Sequence, residues 1–380
     1  MKYQLLGKSG LRVSELCLGA MTFGEEWGWG ASKEECHKIF NAYVDAGGNF
    51  IDTANKYTEG TSEKYIGEFI SSDRDRFVLA TKYTSNTRRG DPNAGGNHRK
   101  NMIQSLEASL KRLNTDYIDL YWVHAWDALT PIEEMMRALD DMVRSGKILY
   151  IGVSDTPAWI VSQVNTLANL RGWTEFTGLQ IEYSLIERTP ERELLPMADA
   201  LNIGVTAWSP LGGGVLTGKY NKSNRGEEEQ QQTQQQNTSS SSSTRAMAQE
   251  GNSRLEVQNE FANRVLNDRN MLIAQEVSEI AKEIGCSGAQ VALNWVRQQN
   301  IMSAAGKNNI IPIIGARKET QIKDNLSCLE FELTSEQMQR LNEVSKIELG
   351  FPHDFLNSEM IKDIIYGGTY SLIRNTNAVR

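Results

Sequence analysis

Short apolar runs alternate with longer amphipathic stretches along most of this chain. Strand-like runs stand at "NFID", "FVLAT", "YIDLYWV", "ILYIGVS", "GLQIEY", "IGVTAWS" and "IIPIIG". Ahead of them, "YQLLGKSGLRVSELCLG" predicts a hairpin turning around Gly7 to Gly10 and leading into a first barrel strand at Leu16 to Gly19. Between the runs, apolar residues recur every three or four positions, the period of a half-buried helix. The first such helix is expected from Lys33 to Ala46, with Cys36, Ile39, Phe40 and Tyr43 on one face. Others are expected over 62–70, 99–113, 132–144, 157–170, 190–200 and 270–298. Eight strands alternating with helices predict an α/β fold, a (β/α)8 TIM barrel with an N-terminal β-hairpin. The whole chain, 1–380, is taken as one barrel domain.

Two segments break the alternation. Residues 226–244, "GEEEQQQTQQQNTSSSSST", hold no apolar residue and cannot cover a core face, so a disordered low-complexity loop insertion is expected there. It follows the seventh strand, where barrels carry functional loops, so a cofactor lid or a partner-binding segment stands beside a tolerated insertion. "QQNIMSAAGKNN", before the eighth strand, reads as a second inserted loop. The C-terminal tail from Phe351 to Arg380 is expected to pack over the barrel rim.

Composition narrows the partners. At 380 residues the chain buries enough surface to need neither disulfide nor metal for stability. A net charge of −8 disfavours nucleic acid and anionic membranes as partners, while a local group of Lys and Arg can still hold an anionic cofactor. Cys17, Cys36, Cys286 and Cys328 form no C-x-x-C pair and are read as reduced, apolar residues. No signal-peptide core stands at the N-terminus and no run approaches the ~20 apolar residues of a membrane helix, so a cytoplasmic protein is expected.

Four polar residues carry candidate chemistry: Asp52 after "NFI", Tyr57 five residues later, Lys82 after "FVLAT", and His124 after "IDLYWV". Taken singly they are a turn residue, a packing residue, a solvated amine and a structural histidine. Taken together, they fall where a parallel barrel gathers strand ends on its catalytic face. An acid, a phenol, an amine and an imidazole there point to proton transfer to a substrate oxygen. A free phenol with a pKa near ~10 is a poor donor, and a nearby ammonium lowers that value. Lys82 is the candidate ammonium, Asp52 its anchor, and His124 the group that orients a carbonyl or relays a proton. No His/Asp cluster follows the strands in a metal-binding combination.

No Rossmann G-x-G-x-x-G follows a strand, so a dinucleotide would bind in another way. "SPLGGGVLTGK" offers Gly212, Gly213 and Gly214 as a loop that a pyrophosphate can approach, or as a plain flexible turn. Arg317 opens the helix after the last strand, a place where barrels hold phosphate. Trp27, Trp29 and Trp126 either wall an apolar or aromatic substrate site or pack their loops together.

"GGNFIDTANKY", "VLATK", "YWVHAWD", "IGVSD", "GLQIEYSL", "AWSPLGGGVLTGKY" and "IPIIGARKETQIKDN" occur in this order. From about residue 3 to about residue 345 the chain resembles the aldo-keto reductase family. Within it the resemblance is closest to bacterial members related to the β subunits of voltage-gated potassium channels. That resemblance implies reduction of a small-molecule carbonyl, an aldehyde or ketone, with NADP(H). It implies Tyr57 as general acid, supported by Asp52, Lys82 and His124. It places Ser154 and Gln180 on the carboxamide and Trp208 against the nicotinamide ring. Ser209, Leu211 and Gly213 would line the pyrophosphate, and Lys219 would contact phosphate. Arg317, in the segment that opens with Gly315, would read the 2′-phosphate, and Gln321 and Asn325 the adenine. Many members have Asn where this chain has Asp155; an ionised Asp only accepts hydrogen bonds, so Asp155 could hold the carboxamide NH2 but could not donate to its oxygen. The alternative is a regulatory subunit that binds NADP(H), turns over slowly and docks on a partner. The sequence does not indicate an oligomeric state.

Overall fold

The computed structural model describes residues 1–220, 259–303 and 306–373. The insert at 226–244 lies outside the described residues. Eight parallel strands close into a barrel: β3 (Cys17–Gly19), β4 (Phe50–Asp52), β5 (Val78–Tyr83), β6 (Ile118–Val123), β7 (Ile148–Ser154), β8 (Gly178–Glu182), β9 (Gly204–Trp208) and β12 (Ile311–Ile314). They neighbour one another in chain order, and β12 closes the ring by pairing with β3 and β9. The expected hairpin is present as β1 (Tyr3–Leu5) and β2 (Arg12–Ser14). Leu6 and Val13 from it join Cys17, Phe50, Leu120 and Trp122 in the inner core, so the hairpin plugs one barrel end.

The helices follow from their periodicity. The helix α1 (Lys33–Asp45) buries Cys36, Ile39, Phe40 and Tyr43, the four residues of its apolar stripe. Ser32 caps it, its Oγ accepting from the Glu35 N–H at 3.4 Å. Inside the barrel, Trp122 fills space that two glycines leave open. A Cβ at Gly152 would lie 2.3 Å from its ring, and one at Gly178 would lie 2.8 Å away.

Three expectations need correction. The span 270–298 is two helices, Asp268–Ile284 and Gly288–Gln298. Gly285, at φ +80, ends the first and Ser287 caps the second, while both bury apolar faces, so the period runs across the break. The helix expected over 190–200 begins late, as Leu194–Ala200, after a 3₁₀ turn at Thr189–Glu191. The supposed loop "QQNIMSAAGKNN" contains an antiparallel pair, β10 (Asn300–Ser303) with β11 (Gly306–Asn309). The pair forms a sheet separate from the barrel, and four-residue strands are too short to show a clear hydrophobic period. Among the described residues the tail makes limited contact with the rest of the chain. His353 Nε2 lies 3.0 Å from Glu193 Oε1 and Ile361 is buried, whereas Ile364 and Leu372 stay exposed.

Candidate active site

The strand ends deliver the predicted side chains to one cleft of about 690 Å³. Asp52, Tyr57 and His124 line it. So do Ser154, Asp155, Gln180, Trp208, Ser209, Leu211, Gly213, Lys219, Gly315, Arg317, Gln321 and Asn325. Register explains part of the gathering: Ser154 pairs with Gln180 across β7 and β8, and Glu182 with Trp208 across β8 and β9. Of the three tryptophans, Trp29 lines the cleft. Trp27 leans on Trp29 and on Tyr57, with ring centroids 5.6 and 6.3 Å apart. Trp126 is not among the lining residues and packs against the outer core, so the structure does not bring it to the cleft.

Lys82 sits behind the cleft wall with its side chain fully buried. Its Nζ donates to Asp52 Oδ2, to the Thr53 carbonyl at 2.9 Å and to the Tyr57 hydroxyl at 3.2 Å. The other Asp52 oxygen accepts from Gln180 Nε2 at 3.2 Å. His124 meets Tyr57 edge to face, with ring centroids 5.8 Å apart, and its Nδ1 lies 3.5 Å from Ser85 Oγ.

Burial and charge compete here. Burial alone would depress the Lys82 ammonium, but Asp52 and Tyr57 more than offset it and hold it above its ordinary value. Tyr57 departs from expectation. Burial raises its phenol and outweighs the lowering by Lys82, so its net shift is upward. Tyr57 therefore remains a neutral O–H donor at physiological pH. His124 is pushed down to about 3, first by loss of hydration and then by Lys82. The unfolded chain protonates this ring near 6.5 and the folded chain only near 3, so the unfolded state binds more protons between those values. Stability should therefore fall as pH drops through that window. His124→Gln should flatten this slope, as chemical denaturation at neutral pH and at about pH 5 would show. An unaltered slope would mean that His124 titrates normally.

The cleft also holds features suited to an anionic dinucleotide. The hydroxyls of Ser154 and Ser209 are buried; that of Ser154 lies beside the Asp155 carboxylate, and that of Ser209 makes no hydrogen bond to the described residues. Gly212, Gly213 and Gly214 all have positive φ, and a Cβ at Gly214 would press on Lys219 Cε and Nζ at 3.2 Å. Among the described residues no His, Cys, Asp and Glu cluster could hold a metal ion, and no helix is long and apolar enough to cross a membrane.

The profile of the aldo/keto reductase family matches residues 15–346. The chain belongs to this family. A norsolorinic acid reductase of Emericella nidulans is 35% identical over 358 residues, covering 92% of this chain and 82% of that protein. An aryl-alcohol dehydrogenase of Pestalotiopsis microspora is 34% identical over 365 residues, covering 93% of this chain and 85% of that one. An aryl-alcohol dehydrogenase [NADP(+)] of Phanerodontia chrysosporium is also 34% identical over 365 residues, covering 92% and 87%. All three are fungal proteins, and they lend no support to the expected kinship with bacterial members and channel β subunits. Family membership makes this aldo/keto reductase an oxidoreductase.

Several residues that shape the site were not singled out from sequence. Thr58, Glu59 and Gly60, directly after Tyr57, are all left-handed, with φ of 45°, 55° and 93°. Left-handed non-glycine residues carry strain. Thr58 holds the turn by donating to the Phe23 carbonyl at 2.5 Å and accepting from the Ser62 N–H at 3.1 Å. Glu59 accepts from Trp27 Nε1 at 3.2 Å. The run of small hydroxyl residues in "YTEGTSE" was the available signal.

Proposed function

We propose that this aldo/keto reductase reduces aldehydes or ketones to alcohols, with NADPH as reductant and Tyr57 as general acid. One barrel formed by the chain carries the reaction. The observation that carries the reading is the Tyr57 hydroxyl, lining the cleft while 3.2 Å from a buried ammonium that is itself anchored by Asp52. When bound, the reduced nicotinamide supplies a hydride to the carbonyl carbon. Tyr57 gives its proton to the oxygen on which charge develops. Lys82 stabilises the tyrosinate left behind, and Asp52 keeps Lys82 in place. A neutral His124 orients the carbonyl oxygen as a hydrogen-bond donor rather than serving as a proton source.

The residues present fit the cofactor. The buried Ser154 hydroxyl, beside Asp155, suits the carboxamide. Gln180 gives its NH2 to Asp52 and keeps its oxygen for the carboxamide NH2. Trp208 offers the ring a flat face, and the glycine turn with Ser209, Leu211 and Lys219 suits the pyrophosphate. Gln321 accepts from the Arg317 N–H at 2.9 Å, which leaves its NH2 for adenine beside Asn325. Trp29 beside Trp27 favours an aromatic carbonyl, in keeping with relatives named for aryl alcohols. The test is NADPH oxidation with 4-nitrobenzaldehyde against an aliphatic aldehyde of similar size. Tight NADPH binding with no turnover of any aldehyde would favour the regulatory-subunit alternative.

Cofactor choice turns on Arg317, whose guanidinium fork matches a 2′-phosphate that NAD(H) lacks. A hydrogen bond to a charged group contributes about 1.5–3 kcal/mol, or roughly 10- to 150-fold in affinity. Arg317→Ala should weaken NADPH by about that factor and leave NADH almost unchanged. Equal losses for both cofactors in a binding titration would make Arg317 a loop support.

A further inference from the structure

Asp155 stands where three strand ends and a loop meet. It directly follows β7 with φ +42, a left-handed conformation that Asp tolerates better than most residues. Its N–H donates to the Gln180 carbonyl in β8 at 3.4 Å, and its own carbonyl accepts from the Trp126 N–H at 3.3 Å. Its Oδ1 accepts from Trp208 Nε1, at the end of β9, at 3.1 Å. Asp155, Gln180 and Trp208 share the cleft wall. An indole at a strand end turns about two side-chain torsions and has a single polar atom, a donor. The acceptor found by that atom selects the orientation of the ring.

We infer that Asp155 is a positioning residue whose carboxylate fixes the Trp208 indole as the flat wall of the nicotinamide site. This rests on the NADP(H) reading proposed above. The left-handed backbone aims the carboxylate across the strand ends toward β9, and the hydrogen bonds to Gln180 and Trp126 hold it in that conformation. Oδ1 is committed to Trp208, so this oxygen acts on the cofactor through the ring that it holds. An Asn here keeps an oxygen at the Oδ1 position, whereas an Ala leaves the indole N–H without its acceptor.

The experiment is a set of NADPH titrations of the full chain carrying Asp155→Ala, Asp155→Asn, Trp208→Phe, or Asp155→Ala with Trp208→Phe. They are read by tryptophan quenching and calorimetry, with melting temperatures recorded alongside. Asp155→Ala is expected to weaken NADPH about 10-fold, the scale of one hydrogen bond to a charged group. It should also lose the share of quenching that Trp208→Phe removes, without a matching fall in melting temperature. Asp155→Asn should recover most of the affinity. The double variant should bind no worse than the weaker single one, because both changes break one contact. Additive losses, or an Asn variant as weak as the Ala variant, would overturn the anchor. Unaltered affinity in Asp155→Ala would overturn it as well. Failure of the unsubstituted chain to bind NADPH would overturn the cofactor reading, and the anchor with it.

Discussion

Tyr57→Phe is expected to lower kcat by at least ~100-fold, the usual scale of general acid catalysis, while NADPH still binds. The substitution is narrow. A Phe ring keeps the edge-to-face packing on Trp27 and His124 and removes only the hydroxyl. Lys82 keeps Asp52 and the Thr53 carbonyl as partners, so its charge stays compensated. The loss should therefore fall on chemistry and not on folding or cofactor affinity. Steady-state turnover of an aromatic aldehyde, paired with an NADPH titration, separates these effects. Near-normal kcat would remove Tyr57 from the role. A matching loss of NADPH affinity would instead place the hydroxyl in cofactor binding.

The direction of the Tyr57 shift decides its protonation state. Sequence reasoning pairs a phenol with an ammonium and expects a lowered pKa, which holds for the pair in isolation. The folded site also removes Tyr57 from water, and that larger effect raises it. In the proposed mechanism Tyr57 therefore meets the substrate as a neutral phenol, and Lys82 would act mainly when charge appears on the phenol oxygen.

Other features divide in the same way between what neighbours in sequence dictate and what only packing decides. The α1 stripe of Cys36, Ile39, Phe40 and Tyr43 was legible because burial of one helix face leaves a period in the chain. Asp52, Lys82 and His124 were legible because a parallel barrel sends strand ends to one side. The break at Gly285 was hidden, since two helices burying the same kind of face continue one pattern. Which of the two readings of Trp126 holds, cleft wall or loop packing, was not legible because loop position alone does not say which way a side chain turns. Likewise, the Gln180 bond to Asp52 and the left-handed turn at Thr58 and Glu59 join residues whose pairing no local pattern encodes.

Lys82→Met should damage both stability and turnover, and the two losses can be separated. Lys82 is fully buried and its partner Asp52 nearly so, with side-chain exposures of 0% and 4%. Met fills similar space but carries no charge, which leaves the Asp52 carboxylate buried with the Gln180 NH2 at 3.2 Å. Removing one member of a buried ion pair costs about 3–5 kcal/mol, mostly because the other charge is stranded. Tyr57 simultaneously loses the one group that lowers its pKa, so its proton is held more tightly and its anion is left unsupported. The expected result is a lower denaturation midpoint together with a fall in kcat comparable to that of Tyr57→Phe. Adding Asp52→Asn to Lys82→Met removes the stranded charge and should restore most of the lost stability, because the two sites are coupled. It should restore no activity, since the ammonium is still missing. Recovery of turnover in the double variant would show that Lys82 is a structural partner of Asp52 and not a support for Tyr57. Continued instability in the double variant would instead place the cost in packing around the methionine.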